Sequence, residues 1–262
     1  MKFKGIHVSY TDEGKGVAVV FLHGFLGNKT LWEGFVKPFP KSQNRIITID
    51  LLGHGNTDCL SYLHTMDEMA EAVYAVISHL KIRKYFLVGH SMGGYVSLAL
   101  AEKYPDDIRG LCMFHSTAKG DSKEKQKDRD RAIKVVKRNA KIFIDEAIPN
   151  LFNTKKKPHV RAIAKARQVA LSTSKQGIVA ALEGMKQRLE REIVLRFAPY
   201  PVLYIIGQDD HILPCNDLKT QALLAENGSY VLLEGVGHMG FLEAKDETVK
   251  AVREFVTLVA KH

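Results

Sequence analysis

The chain reads as an α/β protein: a mostly parallel, twisted sheet with helices on both faces and one helical insertion. Three observations predict this. Short apolar runs alternate with stretches of helical period along most of the 262 residues. Several of those runs are unbroken, as in Val17–Leu22 (VAVVFL), the pattern of a strand covered on both faces. Between residues 119 and 196 the alternation stops, and the composition is helical with no convincing strand.

Taken in order, residues 3–7 and 8–10 read as an opening strand pair, with a turn over 12–16. Val17–Leu22 is a strand, 31–39 a short helix and 45–50 (RIITID) a strand. Over 66–80, Met69, Val73, Val76, Ile77 and Leu80 recur at helical spacing. Asp67 and Glu68 fall in the first turn, where the helix dipole favours acids. Residues 85–88 form a strand, 92–104 a helix and 108–114 a strand. Strand signals return at 201–207 and 230–233, followed by helices near 215–224 and 248–259. Parallel strands need crossovers, and these helices supply them. The core is therefore expected from 1–118 and 197–262, with 119–196 as a helical cap over the C-terminal sheet edge, where open α/β sheets bind ligands. Its helix candidates are 132–143, 160–171 and 174–185.

Composition narrows the function classes. The net charge of +9 is uneven: 119–196 holds 21 Lys and Arg against 9 Asp and Glu, and the remainder is slightly acidic. The basic segment lacks interleaved aromatics and any nucleic-acid motif, so it reads as a solvated helical face rather than a nucleic-acid module. Lys155-Lys156-Lys157 is a short basic run before Pro158. No apolar run has the length of a membrane span, and no signal peptide is expected from the first residues. Cys59, Cys112 and Cys215 are dispersed and odd in number, without metal or disulfide spacing, which favours a reducing cytoplasm. No phosphate-binding glycine loop is present, so no nucleotide cofactor is expected, and no metal.

The chemistry centres on VGHSMGGYV, residues 88–96. Gly89-His90-Ser91-Met92-Gly93 is G-x-S-x-G between a strand and a helix. So tight a turn leaves no room for side chains two residues either side of the serine, and it lifts the hydroxyl above the sheet. Ser91 is thus a candidate nucleophile, and it needs a base and an acid. His238 lies in a glycine-rich loop after the last strand and is the candidate base. His159 sits in the basic segment and is expected to face solvent. His115 ends the strand after the elbow helix, where it could line a pocket or bond to backbone. Asp209 and Asp210 are adjacent after strand 201–207; only one can face His238. The oxyanion donors are expected to be the backbone N–H groups of Met92 and of Phe25, in the loop His23-Gly24-Phe25-Leu26-Gly27. His23 and His54 are read as structural, and Trp32 as core.

These stretches together resemble the α/β-hydrolase superfamily over nearly the whole chain. FLHGFLGN is similar to its oxyanion loop, IDLLGHGNTD to the next strand and loop, VGHSMGGYVSLALA to its nucleophile elbow and GVGHMGFLE to its histidine loop. IGQDDHILP resembles its acid loop, G-x-x-D-x-x-x-P, which places the acid at Asp210. The resemblance implies a serine hydrolase that cleaves a small carboxyl ester or thioester through an acyl-enzyme on Ser91, with no cofactor. It also implies that the helix carrying Ile178, Leu182 and Met185 roofs the substrate pocket, plain packing being the alternative. C–C hydrolases and cofactor-free haloperoxidases share this triad, and some hydrolase-fold receptors keep it with slow turnover. Haloalkane dehalogenases and epoxide hydrolases use an aspartate where this chain has Ser91. The menaquinone-pathway lyase of this fold usually has arginine where this chain has Tyr95.

Overall fold

The structure is a computed structural model that describes residues 1–153, 155 and 159–260. Lys156 and Lys157 of the basic run, Pro158 and the terminal His262 lie outside the described residues.

A small hairpin of β1 (Lys2–Phe3) and β2 (Ile6–His7) opens the chain. Then come β3 (Tyr10–Gly14), β4 (Val17–Leu22), α1 (Glu33–Val36), β5 (Asn44–Ile49), α2 (Met66–His79), β6 (Tyr85–His90), α3 (Met92–Lys103) and β7 (Ile108–Phe114). The intervening helices are α4 (Lys123–Ala147), α5 (Val160–Leu171), α6 (Lys175–Lys186) and α7 (Glu192–Arg196). The chain closes with β8 (Val202–Gly207), α8 (Cys215–Ala222), β9 (Gly228–Leu233), α9 (Gly240–Glu243) and α10 (Lys245–Val259).

The main sheet has the order β3-β5-β4-β6-β7-β8-β9, and only the β3–β5 pairing is antiparallel. Every residue of β6 and of β8 is buried, as their unbroken apolar runs require. On one side, Phe21, Trp32, Phe35, Phe114 and Phe241 form an aromatic cluster. Trp32 is fully buried in it, 4.9 Å from Phe241 between ring centroids.

Three sequence expectations are corrected. The turn expected over 12–16 is tighter: β3 runs on to Gly14, because Asp12 and Glu13 pair with Ile47 and Ile46 on an edge whose outer face is polar. The helix expected over 31–39 divides into a 3₁₀ turn at Lys29–Trp32 and the single turn of α1. Lys37 is still helical, and Pro38 after it has no N–H to continue the ladder. The first insertion helix spans 123–147, not 132–143. Ser122 caps it by accepting from Lys125 N, and a kink at Asn139 restarts it, with Asn139 Oδ1 accepting from Lys141 N and Ile142 N. Its first turns are charged throughout, so no apolar periodicity marked them.

The insertion is tied to the core at both ends. Arg191 N donates to Ala118 O, bringing its limits together. The nearly buried Arg191 guanidinium reaches Glu102 on α3 and both carboxylate oxygens of Asp67 on α2. Gly177 and Gly184, seven residues apart on α6, press against backbone of the loop after β5. A Cβ on them would lie 2.1 Å from Gly53 O and 1.7 Å from His64 O.

Candidate active site

Ser91 sits where β6 turns into α3, with φ 50° and ψ −114°, a backbone conformation that L-residues seldom adopt. Its backbone is held by hydrogen bonds: Ser91 N donates to Phe114 O, and Gly94 N, Tyr95 N and Ser116 Oγ donate to Ser91 O. The flanking glycines are required by contact. A Cβ at Gly89 would lie 2.5 Å from Gly93 O, and one at Gly93 would lie 2.4 Å from Leu22 O. Gly24 belongs to the same junction, since its Cβ would meet His90 Nδ1 at 2.6 Å and Ser91 Cβ at 3.2 Å. The loop after β4 therefore runs directly beside Ser91.

His238 is buried and stands over the half-buried serine. Its Nε2 is 2.9 Å from Ser91 Oγ, and its Nδ1 is 2.7 Å from Asp210 Oδ2. With the Nδ1 proton facing a carboxylate, Nε2 is left to accept from the serine hydroxyl. The main chain of His238 is also held: its N–H donates to Leu151 O, and its carbonyl accepts from His90 Nε2 at 2.9 Å. Glu243 fastens the rest of that loop, accepting from Gly237 N and Met239 N.

Asp210 is buried, and its Oδ1 accepts from Ile212 N and Leu213 N. Burial alone would raise its pKa. The facing His238, its hydrogen bond and the nearby His115 outweigh burial and hold the carboxyl far below the usual range. Asp209 is exposed and turned elsewhere, accepting from Asn153 Nδ2 at 2.7 Å. The acid-loop resemblance placed the acid at Asp210, and the geometry brings Asp210, not Asp209, to His238.

The N–H groups of Phe25 and Met92 have no hydrogen-bond acceptor among the described residues. Phe25 lines the cavity at Ser91, and Met92 begins α3, whose N-terminus favours negative charge. His23 bonds Gly24 O through Nδ1 and accepts from Leu51 N at Nε2, so it ties two loops together. Burial pushes His54 down to about 3 and lowers His23, His90 and His115 as well, so all four are neutral at pH 7.

A cavity of about 370 Å³ opens onto Ser91 and His238. Leu182 and Met185 of α6 line it, together with Phe25, Leu26, Tyr95, Phe143 and Leu151. Two expected pocket residues do not. Ile178 is wholly buried in the core, on the helix that Gly177 presses onto Gly53. His115 lies behind Asp210 and not in the cavity; Gly207 and Gly240 leave it the room, a Cβ on Gly240 reaching within 2.3 Å of its Nε2. His159, expected in solvent, has only 8% of its side chain exposed and lies 3.7 Å from Glu243. Lys125 and Arg129 also line the cavity, and sequence reasoning missed them. Their four-residue spacing was visible, but nothing set them apart from the other bases of that segment. His115, Asp210 and His238 bring three ligand-type atoms within 4.8 Å of one another, the grouping a metal would use. Both nitrogens of His238 are already committed to Asp210 and Ser91, so a metal there would break that chain.

Comparison with known proteins identifies the family. A family model described as alpha/beta hydrolase fold matches residues 17–245. The chain is 30% identical, over 92% of its length, to the dihydrolipoyllysine-residue acetyltransferase component of the acetoin cleaving system of Pseudomonas putida, and spans 64% of that protein. A Bacillus subtilis protein provisionally named 2-succinyl-6-hydroxy-2,4-cyclohexadiene-1-carboxylate synthase is 28% identical over 97% of this chain and 96% of its own. A malate-bound thermophilic esterase from Thermogutta terrifontis superposes with a TM-score of 0.92, at 31% identity, covering 98% of this chain and 96% of that one. The chain belongs to the alpha/beta hydrolase fold family.

Proposed function

We propose that this chain is a serine hydrolase of small carboxyl esters, with Ser91 as nucleophile, His238 as general base and Asp210 as the acid that orients it. The observation that carries this reading is the unbroken line from Asp210 Oδ2 through His238 to Ser91 Oγ at the floor of a cavity. Ser91 Oγ attacks the ester carbonyl while His238 Nε2 takes its proton. The carbonyl oxygen becomes an oxyanion held by the N–H groups of Phe25 and Met92. Collapse of the adduct breaks the bond to the alcohol, which leaves with the proton from His238. Water, deprotonated by His238, then attacks the acyl-enzyme and releases the acid.

Segment 119–196 acts in this reading as the cap, with Leu182 and Met185 over the acyl group. The likeness to the Thermogutta esterase, at 31% identity over nearly the full length, supports ester cleavage. We place the protein in the cytoplasm on its three dispersed, free cysteines; no helix among the described residues is long and apolar enough to cross a membrane. The test is a p-nitrophenyl ester series from acetate to decanoate, run on the wild type and Ser91→Ala. The expected result is turnover with a chain-length optimum that disappears in the variant. Turnover surviving Ser91→Ala would remove Ser91 from the chemistry.

A further inference from the structure

The cavity over Ser91 is apolar on much of its lining but carries unequal charge. Lys125 and Arg129, four residues apart on α4, both line it, as does Ile212 from the loop that holds Asp210. The Asp121 carboxylate, fully buried, accepts from Arg129 Nε and from Arg188 Nη1, so one carboxylate answers two guanidiniums. Arg188 also lies over the Tyr95 ring, 4.2 Å from its centroid, and Tyr95 lines the cavity. Asp128, the acid in the lining, is paired with Arg131. Lys125 has a carbonyl partner only: its ammonium donates to Ile212 O at 3.0 Å, and no carboxylate lies within 4.0 Å among the described residues. Partial desolvation lowers its pKa, and its charge has no carboxylate in direct contact among the described residues. Positive charge is thus left over beside the nucleophile.

We propose that Lys125, with Arg129 beside it, anchors an anionic group of the substrate, so that the site takes esters carrying a carboxylate a few bonds from the scissile carbonyl. This rests on the hydrolase reading of Ser91 and adds the substrate class to it. Phe143, Leu182 and Met185 would hold the connecting carbons, and a cavity of about 370 Å³ suits a short chain. The carboxylate completes a charge-assisted bond that the protein leaves open. A lysine that only braced the acid loop through Ile212 O would affect charged and neutral esters alike.

The test compares the p-nitrophenyl hemiester of glutaric acid with p-nitrophenyl valerate, on the full chain, in the wild type, Lys125→Met and Lys125→Arg. The expected result is a wild-type preference for the hemiester, read as the ratio of kcat/KM values. In Lys125→Met that ratio falls by about tenfold or more, through KM, as for loss of a hydrogen bond to a charged group. Lys125→Arg restores most of it. Lys125→Gln serves if the methionine variant does not fold. An unchanged ratio overturns the proposal, whatever the absolute rates. If neither ester is cleaved, the hydrolase reading fails separately, and calorimetric titration with glutarate decides the anchor. Binding weakened about tenfold in Lys125→Met supports it; equal binding in both proteins, or none in either, overturns it.

Discussion

His115 Nδ1 lies 3.6 Å from Asp210 Oδ2, the same oxygen that meets His238 Nδ1 at 2.7 Å. Two imidazoles therefore converge on one carboxylate oxygen, one joined to Ser91 and one behind it. His115 is fully buried, and burial keeps it neutral. Its ring nitrogens meet two backbone N–H groups, Gly207 N at Nδ1 and Gly240 N at Nε2, each at 3.2 Å. It thereby couples the acid loop to the helix that follows His238. His115→Ala is expected to lower kcat about tenfold with little change in KM, since it loosens Asp210 without touching the cavity. It should also cost about 2–3 kcal/mol of stability for the lost volume and the unpaired Gly240 N–H. Steady-state kinetics beside urea unfolding separate the two effects; a rise in KM at unchanged kcat would contradict this role.

Asp210 and Asp209 are neighbours in sequence with different surroundings. Asp210→Asn should slow ester turnover by roughly 10³–10⁴-fold, because the amide no longer fixes the His238 tautomer. Asp209→Asn removes one bond to Asn153 at an exposed position and should change turnover by less than about threefold. The reverse order in a kcat comparison would move the acid to Asp209.

Two glycines test the elbow's packing. Gly93→Ala forces a Cβ against Leu22 O and should cost about 3 kcal/mol, with loss of activity as Ser91 shifts. Gly34→Ala, in α1 with nothing within 4 Å of its Cβ position, should leave stability equal or raise it by about 0.5–1 kcal/mol. Thermal unfolding of both variants checks this. Equal effects would mean that the contact at Leu22 O does not govern the turn.

Acid should unfold the protein early. His23, His54, His90 and His115 are buried, and desolvation lowers each below its unfolded value near 6.5. As pH falls below about 6.5 the unfolded chain takes up protons that the folded chain refuses. Each such group then removes up to about 1.4 kcal/mol per pH unit. The four act in the same direction, so their losses add as pH falls. Asp210, whose folded pKa is depressed, adds its loss only at still lower pH. Tm measured from pH 7.5 to 4 should drop steeply below about 6, and a flat profile to pH 4 would contradict neutral burial of these histidines.

Much of this was legible in the sequence because local patterns and function coincide. G-x-S-x-G marks a turn that only glycines fit, and the apolar runs of β4, β6 and β8 announce a covered sheet. His238 stood out by its glycine-rich loop. What escaped is set by long-range packing. The charged start of α4 looks like solvated helix, yet it turns Lys125 and Arg129 into the cavity. The spacing of Ile178, Leu182 and Met185 gives one helical face but not which part of it meets the core. The contact of Gly177 with Gly53 decides that, and it couples residues far apart in the chain. His159 sat in a basic stretch, but it packs inward beside Glu243 of α9.

The most direct measurement is fluorophosphonate labelling of the full chain followed by mass spectrometry of the peptide containing residues 88–96, in the wild type, Ser91→Ala and His238→Ala. Modification should fall on Ser91 in the wild type, disappear in Ser91→Ala and be slowed by orders of magnitude in His238→Ala. Labelling of another residue, or equal labelling with and without His238, would contradict a nucleophile at Ser91 activated by His238.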